Sequence, residues 1–341
     1  MAASNLTLVL PPLLFSTLEN DQLISLLEKN TKPLKHLRQI LARGDTEFFD
    51  TQELMLAEIF GLPYTDENQL PRAAITATGS GFDAATGYWL HAEPVHLHPD
   101  LDHVLLFDSS SFELTKKELG QLVEGLQFLF EESGLSVHFG KQNSLFIRIN
   151  DHPKVLFTSL KDVSGKNILQ HLPEGDDSAY WRRLQNEIQM QMAQSAVNQK
   201  REECGAMTVN GLWFWGGGYL LRAKYAHCYD VVSTTKLFIR GLASITDAVI
   251  EKDNNNFDDI DMTKKTLVTI DESMNTTEES LSVLLDVEQR WLRPALEAIQ
   301  KKELESLILL TGHTKITISQ KSLKRFWKRA VRIENMARLL S

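Results

Sequence analysis

Cysteine is scarce in this chain: Cys204 and Cys228 are the only two in 341 residues. Two cysteines make no disulfide framework, and they lack the CxxC spacing of a zinc site. Long apolar runs are missing as well, since no stretch approaches the ~18 residues of a membrane span. The opening MAASNLTLVLPPLLF has no basic leader, and Pro11 and Pro12 break its apolar run, which reads against a signal peptide. Positive charge is not in excess: 36 Lys and Arg against 45 Asp and Glu give a net charge of −9. An acidic chain is a poor general nucleic-acid binder unless its bases gather in one patch. Repeats and low-complexity tracts are absent. The expectation is a reduced, cytoplasmic protein with neither a membrane nor a nucleic acid as partner.

What is present is the composition of an ordinary soluble protein, with 43% hydrophobic and 24% charged residues. The length allows two modest domains, or one large domain with an insertion. LTLVL (6–10) has the pattern of a short buried strand. Helical stretches follow near 33–42 and 51–60. AAITAT and YWLHAEPVHL read as strands, and HVLLFD as another. LTKKELGQLVEGLQFLFEESG is an amphipathic helix that stops at Gly134. LSVHF and SLFIRI read as a hairpin with GKQN as its turn. A helical region covers 178–204, a strand 211–215, a helix 235–245, a strand 266–270 and a long helix 277–300. SLILL and KITIS close the strands. Strands alternating with helices predict an α/β fold with a mostly parallel sheet flanked by helices. The hairpin-rich stretch 85–155 predicts a small inserted α+β domain, leaving 1–84 and 156–341 as the α/β core.

Several motifs invite chemistry. GSGFDA (79–84) fits the dinucleotide pattern, but ATGYWL after it is no helix, so the reading is a turn. HAEPVHLHPDLDH gathers His91, His96, His98 and His103 beside Asp100 and Asp102. These are metal-type ligands, yet no helical or cysteine support accompanies them, and a polar strand edge is preferred. DNNNFDDID (253–261) lacks the turn glycine of a calcium loop and reads as solvated. KSLKRFWKRAVR (321–332) carries six bases and no acid. Its stripe of Leu323, Phe326, Trp327, Ala330 and Val331 predicts a docked basic helix with buried aromatics. The alternative is an anion or nucleic-acid patch.

The stretch VNGLWFWGGGYL (209–220) sends aromatic bulk into Gly216, Gly217 and Gly218, which call for unusual backbone or a very close neighbour. Trp213 and Trp215 share one side of the strand and are expected beneath helix 186–204, with Phe214 opposite. The glycine turn, at a strand's carboxyl end, reads either as an anion cradle or as a structural turn.

The block 186–220 resembles the archaeal-type, cofactor-independent phosphoglycerate mutases. These have a helix ending in His-Pro-Val-Asn, then Arg, Gly, Ala-Asn and a Trp-Gly-x-Gly turn. Val197, Asn198, Arg201, Gly205, Asn210, Trp215, Gly216 and Gly218 stand here in that order. FWGGG and RFWKR are also similar to a bacterial offshoot of those mutases, the RpfE-type regulatory proteins. The resemblance implies an alkaline-phosphatase-like α/β core with an inserted α+β domain. With the glycine turn at a strand's carboxyl end, Gly216 to Gly218, Asn198 and Arg201 on the preceding segment and Arg72 from the insert's entry are expected around a surviving phosphate or anion pocket.

The same comparison removes the chemistry. Those mutases use two divalent metals, such as manganese or zinc, and an activated serine. Their first strand ends in Asp-Gly; here Pro11 and Pro12 follow the strand. The nucleophile motif Ser-Asp becomes Phe49-Asp50. A Pro-Asp-x-x-x-His run keeps Asp271 and Glu272 without the histidine. An Asp-His-x-Thr-Pro strand end keeps His313 while Gly312 replaces the Asp. Asp50, Asp271, Glu272 and His313 are thus remnants of a metal site. The resemblance implies a non-catalytic, regulatory mutase-like protein with no cofactor and no catalytic residues. Its partner is a small phosphorylated ligand or a protein. The alternatives are a working metal-dependent mutase or phosphatase with other ligands, and a nucleic-acid-binding regulator using the basic C-terminal helix.

Overall fold

A computed structural model describes residues 4–11, 34–64, 70–221, 225–251, 256–270, 276–329, 331 and 336. In chain order the first elements are β1 (Asn5–Val9), α1 (Lys35–Arg43), β2 (Asp45–Phe48), α2 (Gln52–Ile59) and α3 (Arg72–Ser80). Then come β3 (Tyr88–Asp100), β4 (His103–Phe107), α4 (Lys116–Glu124), α5 (Gln127–Glu132), β5 (Ser136–Phe139) and β6 (Leu145–Ile149). They are followed by α6 (Ser178–Ala193), α7 (Ala196–Glu203), β7 (Gly211–Gly218), β8 (Val231–Ser233), α8 (Leu237–Ile245), β9 (Val249–Glu251) and β10 (Thr266–Thr269). The last are α9 (Thr277–Val287), α10 (Arg293–Lys301), β11 (Ser306–Thr311), β12 (Thr314–Ser319) and the single turn α11 (Gln320–Leu323). No described helix is long and apolar enough to cross a membrane.

The chain divides into two compact units, Met1–Glu67 with Lys224–Ser341, and Asn68–Ala223. The first unit carries a sheet in the order β2-β12-β11-β1-β10-β8-β9. The run β11-β1-β10-β8-β9 is parallel, and β12 and β2 complete one edge antiparallel. This is the mostly parallel α/β sheet that strand–helix alternation predicts. Leu6 and Leu8 of β1, Leu307 and Leu309 of β11, and Ile316 and Ile318 of β12 point to one face. There they meet Leu37 and Ile40 of α1 and Leu296 and Ile299 of α10. The alternate residue Thr7 faces the other side, where its hydroxyl pairs with Tyr229 at 3.0 Å. α9 starts at a capping box in which Thr276 and Glu279 each satisfy the other's backbone N–H.

The second unit is built on an antiparallel sheet in which the long β3 pairs β6 and β4 along one edge and β7 along the other. One face of it, with Leu90, Ala92, Leu212 and Phe214, packs on Trp181, Leu184 and Ile188 of α6 and Leu122 of α4. The compact unit thus runs from 68 to 223, wider at both ends than the stretch 85–155. Helices α3, α6 and α7 and strand β7 bury their apolar sides within it, which local hairpin rhythm does not reveal.

Four local expectations are corrected. AAITAT is the helix α3, not a strand. Ala73, Ala74 and Ala77 make a thin face that packs on Trp89 and Phe146. Thr76 and Thr78 return their hydroxyls to the carbonyls of Arg72 and Ala74, 2.8 and 2.9 Å away, so their β-branching is accommodated in the helix. Strand 211–215 is not in the parallel sheet; as β7 it runs antiparallel to β3. The faces of that strand are reversed: Phe214 lies under α6, with its ring 5.3 Å from that of Trp181. Trp213 joins the opposite face with Val95, Leu106 and Val163. The basic tail is not a docked helix with buried aromatics. α11 stops at Leu323, and Phe326 and Trp327 are 78% and 68% exposed. Arg325 is held by the Asp45 carboxylate at 2.6 Å and the Arg43 carbonyl at 2.9 Å. Ala330 and Arg332 lie outside the described residues.

Candidate functional site

The carboxyl ends of parallel strands are where α/β sheets gather ligands. In the first unit, β1 runs out into Leu10 and Pro11, and β8 into the buried hydroxyls of Ser233 and Thr234. Thr269, at the end of β10, donates to the Thr234 hydroxyl at 3.0 Å, and β11 ends at the buried Thr311. Among the described residues at these strand ends, the one carboxylate is the exposed Glu251 of the edge strand β9. Neutral hydroxyls supply none of the negative charge that a pair of divalent cations demands. The Phe49 N–H donates to the His313 carbonyl at 2.8 Å, which brings Asp50 and His313 near each other at the β2–β12 edge. Asp50 is exposed. Asp271, Glu272 and Pro12 lie outside the described residues. Among the described residues, no three His, Cys, Asp or Glu side chains are grouped to hold a metal ion. The donors among the described residues do not by themselves make a two-metal centre.

The histidine-rich strand is equally dispersed. His96 Nδ1 bonds to the Thr208 carbonyl and hydroxyl at 2.9 and 3.0 Å, and His103 pairs with its neighbour Asp102. GSGFDA closes α3 rather than opening a helix, with Gly81 as a left-handed cap at φ +103°. That is the opposite polarity to a pyrophosphate-binding turn. The acidic loop is described only from Asn256, where Phe257–Asp259 forms a short 3-10 turn.

The glycine run is a β-bulge. The register of β3 against β7 slips between Trp89 and His91, and Gly216 sits at φ +65°. This is the conformation that an antiparallel bulge takes from glycine. The neighbours explain the other two glycines. A Cβ on Gly217 would lie 2.4 Å from the Tyr88 hydroxyl, and one on Gly218 would lie 2.6 Å from Pro71 Cβ. The backbone of β7 thus passes in close contact with the start of α3.

Of the six residues expected around an anion, the structure separates two from the rest. Asn198 is 1% exposed, and its amide is fully engaged. It donates to the carbonyls of Met192 and Val209 at 2.8 and 2.9 Å and accepts from Val209 N–H at 2.9 Å. Arg201 is a clasp between α7 and α4. Its Nε donates to the Met207 carbonyl at 2.7 Å, Nη1 to Glu118 at 2.7 Å and Nη2 to the Glu113 carbonyl at 2.9 Å. Glu118 also closes the capping box of α4 with Thr115. Burial works against ionising Glu118, but Thr115 and Arg201 outweigh it and hold the carboxyl below its ordinary value.

Arg72 and Gly216 do come together. A Cβ on Gly216 would stand 3.1 Å from Arg72 Cβ, 3.3 Å from His91 Cδ2 and 3.7 Å from the Ala73 nitrogen. His91 stacks on Trp215 with ring centroids 4.5 Å apart and planes 16° from parallel. The Trp215 indole N–H is buried without a hydrogen-bond partner. Helix α3 starts at Arg72 with no side-chain cap and no acid in its first turn. Within the helix's own first turn no carboxylate offsets its partial positive charge. Burial, followed by the Arg72 charge, lowers the His91 pKa to about 3, so its ring is neutral at ordinary pH.

Sequence reasoning missed Glu93. It lies two residues from His91 on the same side of β3, opposite Trp213. Burial, followed by the charge of Asp108, pushes its carboxyl up to about 7. The available signal is one carboxylate inside the otherwise apolar run YWLHAEPV. Arg72, His91, Trp215 and Gly216 together present a guanidinium, a neutral imidazole and an indole N–H, and Glu93, two residues along β3, adds a carboxyl able to exchange a proton near neutrality. Such a set suits a small anionic ligand bearing hydroxyls.

Comparison with known proteins adds a lineage. No protein-family model matches the chain. It is 24% identical over 165 residues to a probable 2,3-bisphosphoglycerate-independent phosphoglycerate mutase of Geobacter sulfurreducens, covering 48% of this chain and 40% of that one. It is 26% identical over 141 residues to a 2,3-bisphosphoglycerate-independent phosphoglycerate mutase of Methanosarcina mazei, covering 40% and 36%. The matches thus span less than half of these relatives' own length. Among solved structures, the PH0037 protein of Pyrococcus horikoshii superposes with a TM-score of 0.56 at 11% identity, over 100% of this chain and 97% of that one. The chain is a distant homologue of the cofactor-independent phosphoglycerate mutases and shares the α/β architecture of the PH0037 protein.

Proposed function

We propose that this protein is a non-catalytic, regulatory relative of the phosphoglycerate mutases, of the RpfE type, that binds a small phosphorylated ligand and does not turn it over. The ligand site is the corner made by Arg72 at the start of α3, His91, Trp215 and the Gly216 bulge. The observations that carry the reading are the buried Trp215 N–H without a hydrogen-bond partner and the Gly216 bulge that brings Arg72 and the Trp215-stacked His91 together. A group with acceptor oxygens satisfies that donor. Among the described residues, the strand ends of the first unit support the non-catalytic part, because hydroxyls and Pro11 stand there rather than a set of cation ligands. Asn198 and Arg201 are outside the site because their donors are already engaged. The test is calorimetric titration with inorganic phosphate and with 3-phosphoglycerate on the wild type and Arg72→Gln, alongside metal analysis and a mutase assay. Binding that Arg72→Gln abolishes, with no turnover, is expected. Turnover dependent on bound manganese or zinc refutes the non-catalytic reading, and equal binding by both proteins refutes the site.

A further inference from the structure

The second unit has a groove that the ligand corner does not use. It lies between α4, α5 and the edge strand β5 and has a volume of about 630 Å³. Its floor is apolar, made by Val123, Phe130 and Leu135, and its rim carries Glu124 and Glu131. Both glutamates are exposed, and no base lines the groove. β5 pairs only with β6 among the described strands, so its outer edge is a potential docking rail.

The complementary surface is on the first unit. Residues 321–329 carry five bases and no acid in a chain of net charge −9. Phe326 and Trp327 stand out at 78% and 68% exposed, packed edge to face with centroids 5.4 Å apart. Lys324, Lys328 and Arg329 surround them in solvent, while Arg325 is tied down to Asp45. An exposed aromatic pair in a basic ring fits an apolar floor in an acidic rim, both in shape class and in sign of charge.

We infer that the Phe326–Trp327 knuckle of one copy docks in the α4–α5–β5 groove of a second copy, so that the protein self-associates. A six-residue knuckle is small against the ~800 Å² per partner of a stable interface. Association is therefore weak and concentration-dependent unless a two-fold dimer makes the contact twice. Added salt weakens it, since the rim contacts are exposed charge pairs. This inference is independent of the ligand site.

The test is sedimentation velocity of the full chain across the micromolar range at low and high salt. The variants are Trp327→Ala, the double reversal Glu124→Lys with Glu131→Lys, and that double combined with Lys324→Glu and Lys328→Glu. All changes are at exposed positions, and circular dichroism checks folding. Expected are self-association of the wild type, monomers for Trp327→Ala and for the glutamate reversal, and recovery in the combined charge swap. A wild type that stays monomeric at every concentration overturns the inference. So does an oligomer that ignores these substitutions, or a charge swap that fails to recover association. Quenching of Trp327 fluorescence by anionic vesicles or by single-stranded oligonucleotide, with the protein monomeric, overturns it in favour of those partners.

Discussion

Replacing Arg201 by alanine tests whether this residue is a clasp or a ligand. Arg201 is 8% exposed, and its guanidinium donates to three acceptors on two other segments. Its removal leaves the carbonyls of Glu113 and Met207 without their donor, and Glu118 with only Thr115. Bonds to charged groups contribute roughly 1.5–3 kcal/mol each in mutational series and do not add when they share one side chain. Glu118 keeps a quarter of its side chain in water, at 26% exposed, so part of its loss is recovered by hydration. The expected cost is about 2–4 kcal/mol to the unit 68–223, between a surface pair and a fully buried one. Urea unfolding followed by far-ultraviolet dichroism measures it as a lower midpoint at unchanged slope. Arg201→Lys keeps the charge but not the fork, and falls between wild type and alanine. Phosphate titration of the folded Arg201→Ala protein is expected to match the wild type. Unchanged stability together with lost phosphate binding refutes the clasp and returns Arg201 to the ligand site.

Three further outcomes follow from the same geometry. Gly218→Ala places a Cβ 2.6 Å from Pro71 Cβ and 2.8 Å from Pro71 Cα, and the backbone there cannot rotate away. The overpacking is expected to cost about 1–3 kcal/mol in urea unfolding. Asn198→Asp exchanges two donated hydrogen bonds for a buried charge facing the Met192 and Val209 carbonyls, and is expected to lower the melting temperature more than any exposed substitution. Glu93 and His91 oppose each other in pH. The Glu93 carboxyl is raised from 4.5 to about 7, so the folded state holds a proton the unfolded chain has lost, and its stabilising effect disappears as pH rises through that window. His91 is lowered from 6.5 to about 3, so the unfolded chain takes the proton first, and stability is lost as pH falls below 6.5. Glu93→Gln is expected to gain on the wild type as pH rises through that range, and His91→Gln as pH falls. Denaturation midpoints across pH check both signs, and parallel curves for the wild type and either variant refute the assignment.

The sequence by itself determined whatever depends on near neighbours along the chain. The period-2 pattern of LTLVL and SLILL sets strands whose leucines share a face, and the recurrence of Leu122, Leu126, Phe128 and Leu129 marks a helical stretch, which folds as the two helices α4 and α5 with Leu122 and Leu126 buried and Phe128 exposed. The GKQN turn is local too, since Gln142 and Asn143 take the positive φ that a tight hairpin demands. Alternation of these elements was enough to read an α/β fold. The order of Val197, Asn198, Arg201 and the glycines carried the mutase lineage.

Only the tertiary structure decided which partners those elements meet. β7 has a fine strand pattern, but its pairing with β3 rather than with the parallel sheet depends on residues more than a hundred positions away. AAITAT becomes a helix because a thin alanine face fits against Trp89 and Phe146, a contact invisible to local propensity. Arg201 and Asn198 look like ligand residues in sequence, but their donors are taken up inside the fold, Arg201's by Glu113 and Glu118 more than eighty positions away and Asn198's by the nearby Met192 and Val209 carbonyls. Glu93 draws no notice until burial shifts its carboxyl. Periodicity is a property of the backbone and its nearest side chains; partner choice, burial and the shifted protonation that follows are properties of segments that meet only when the chain has folded.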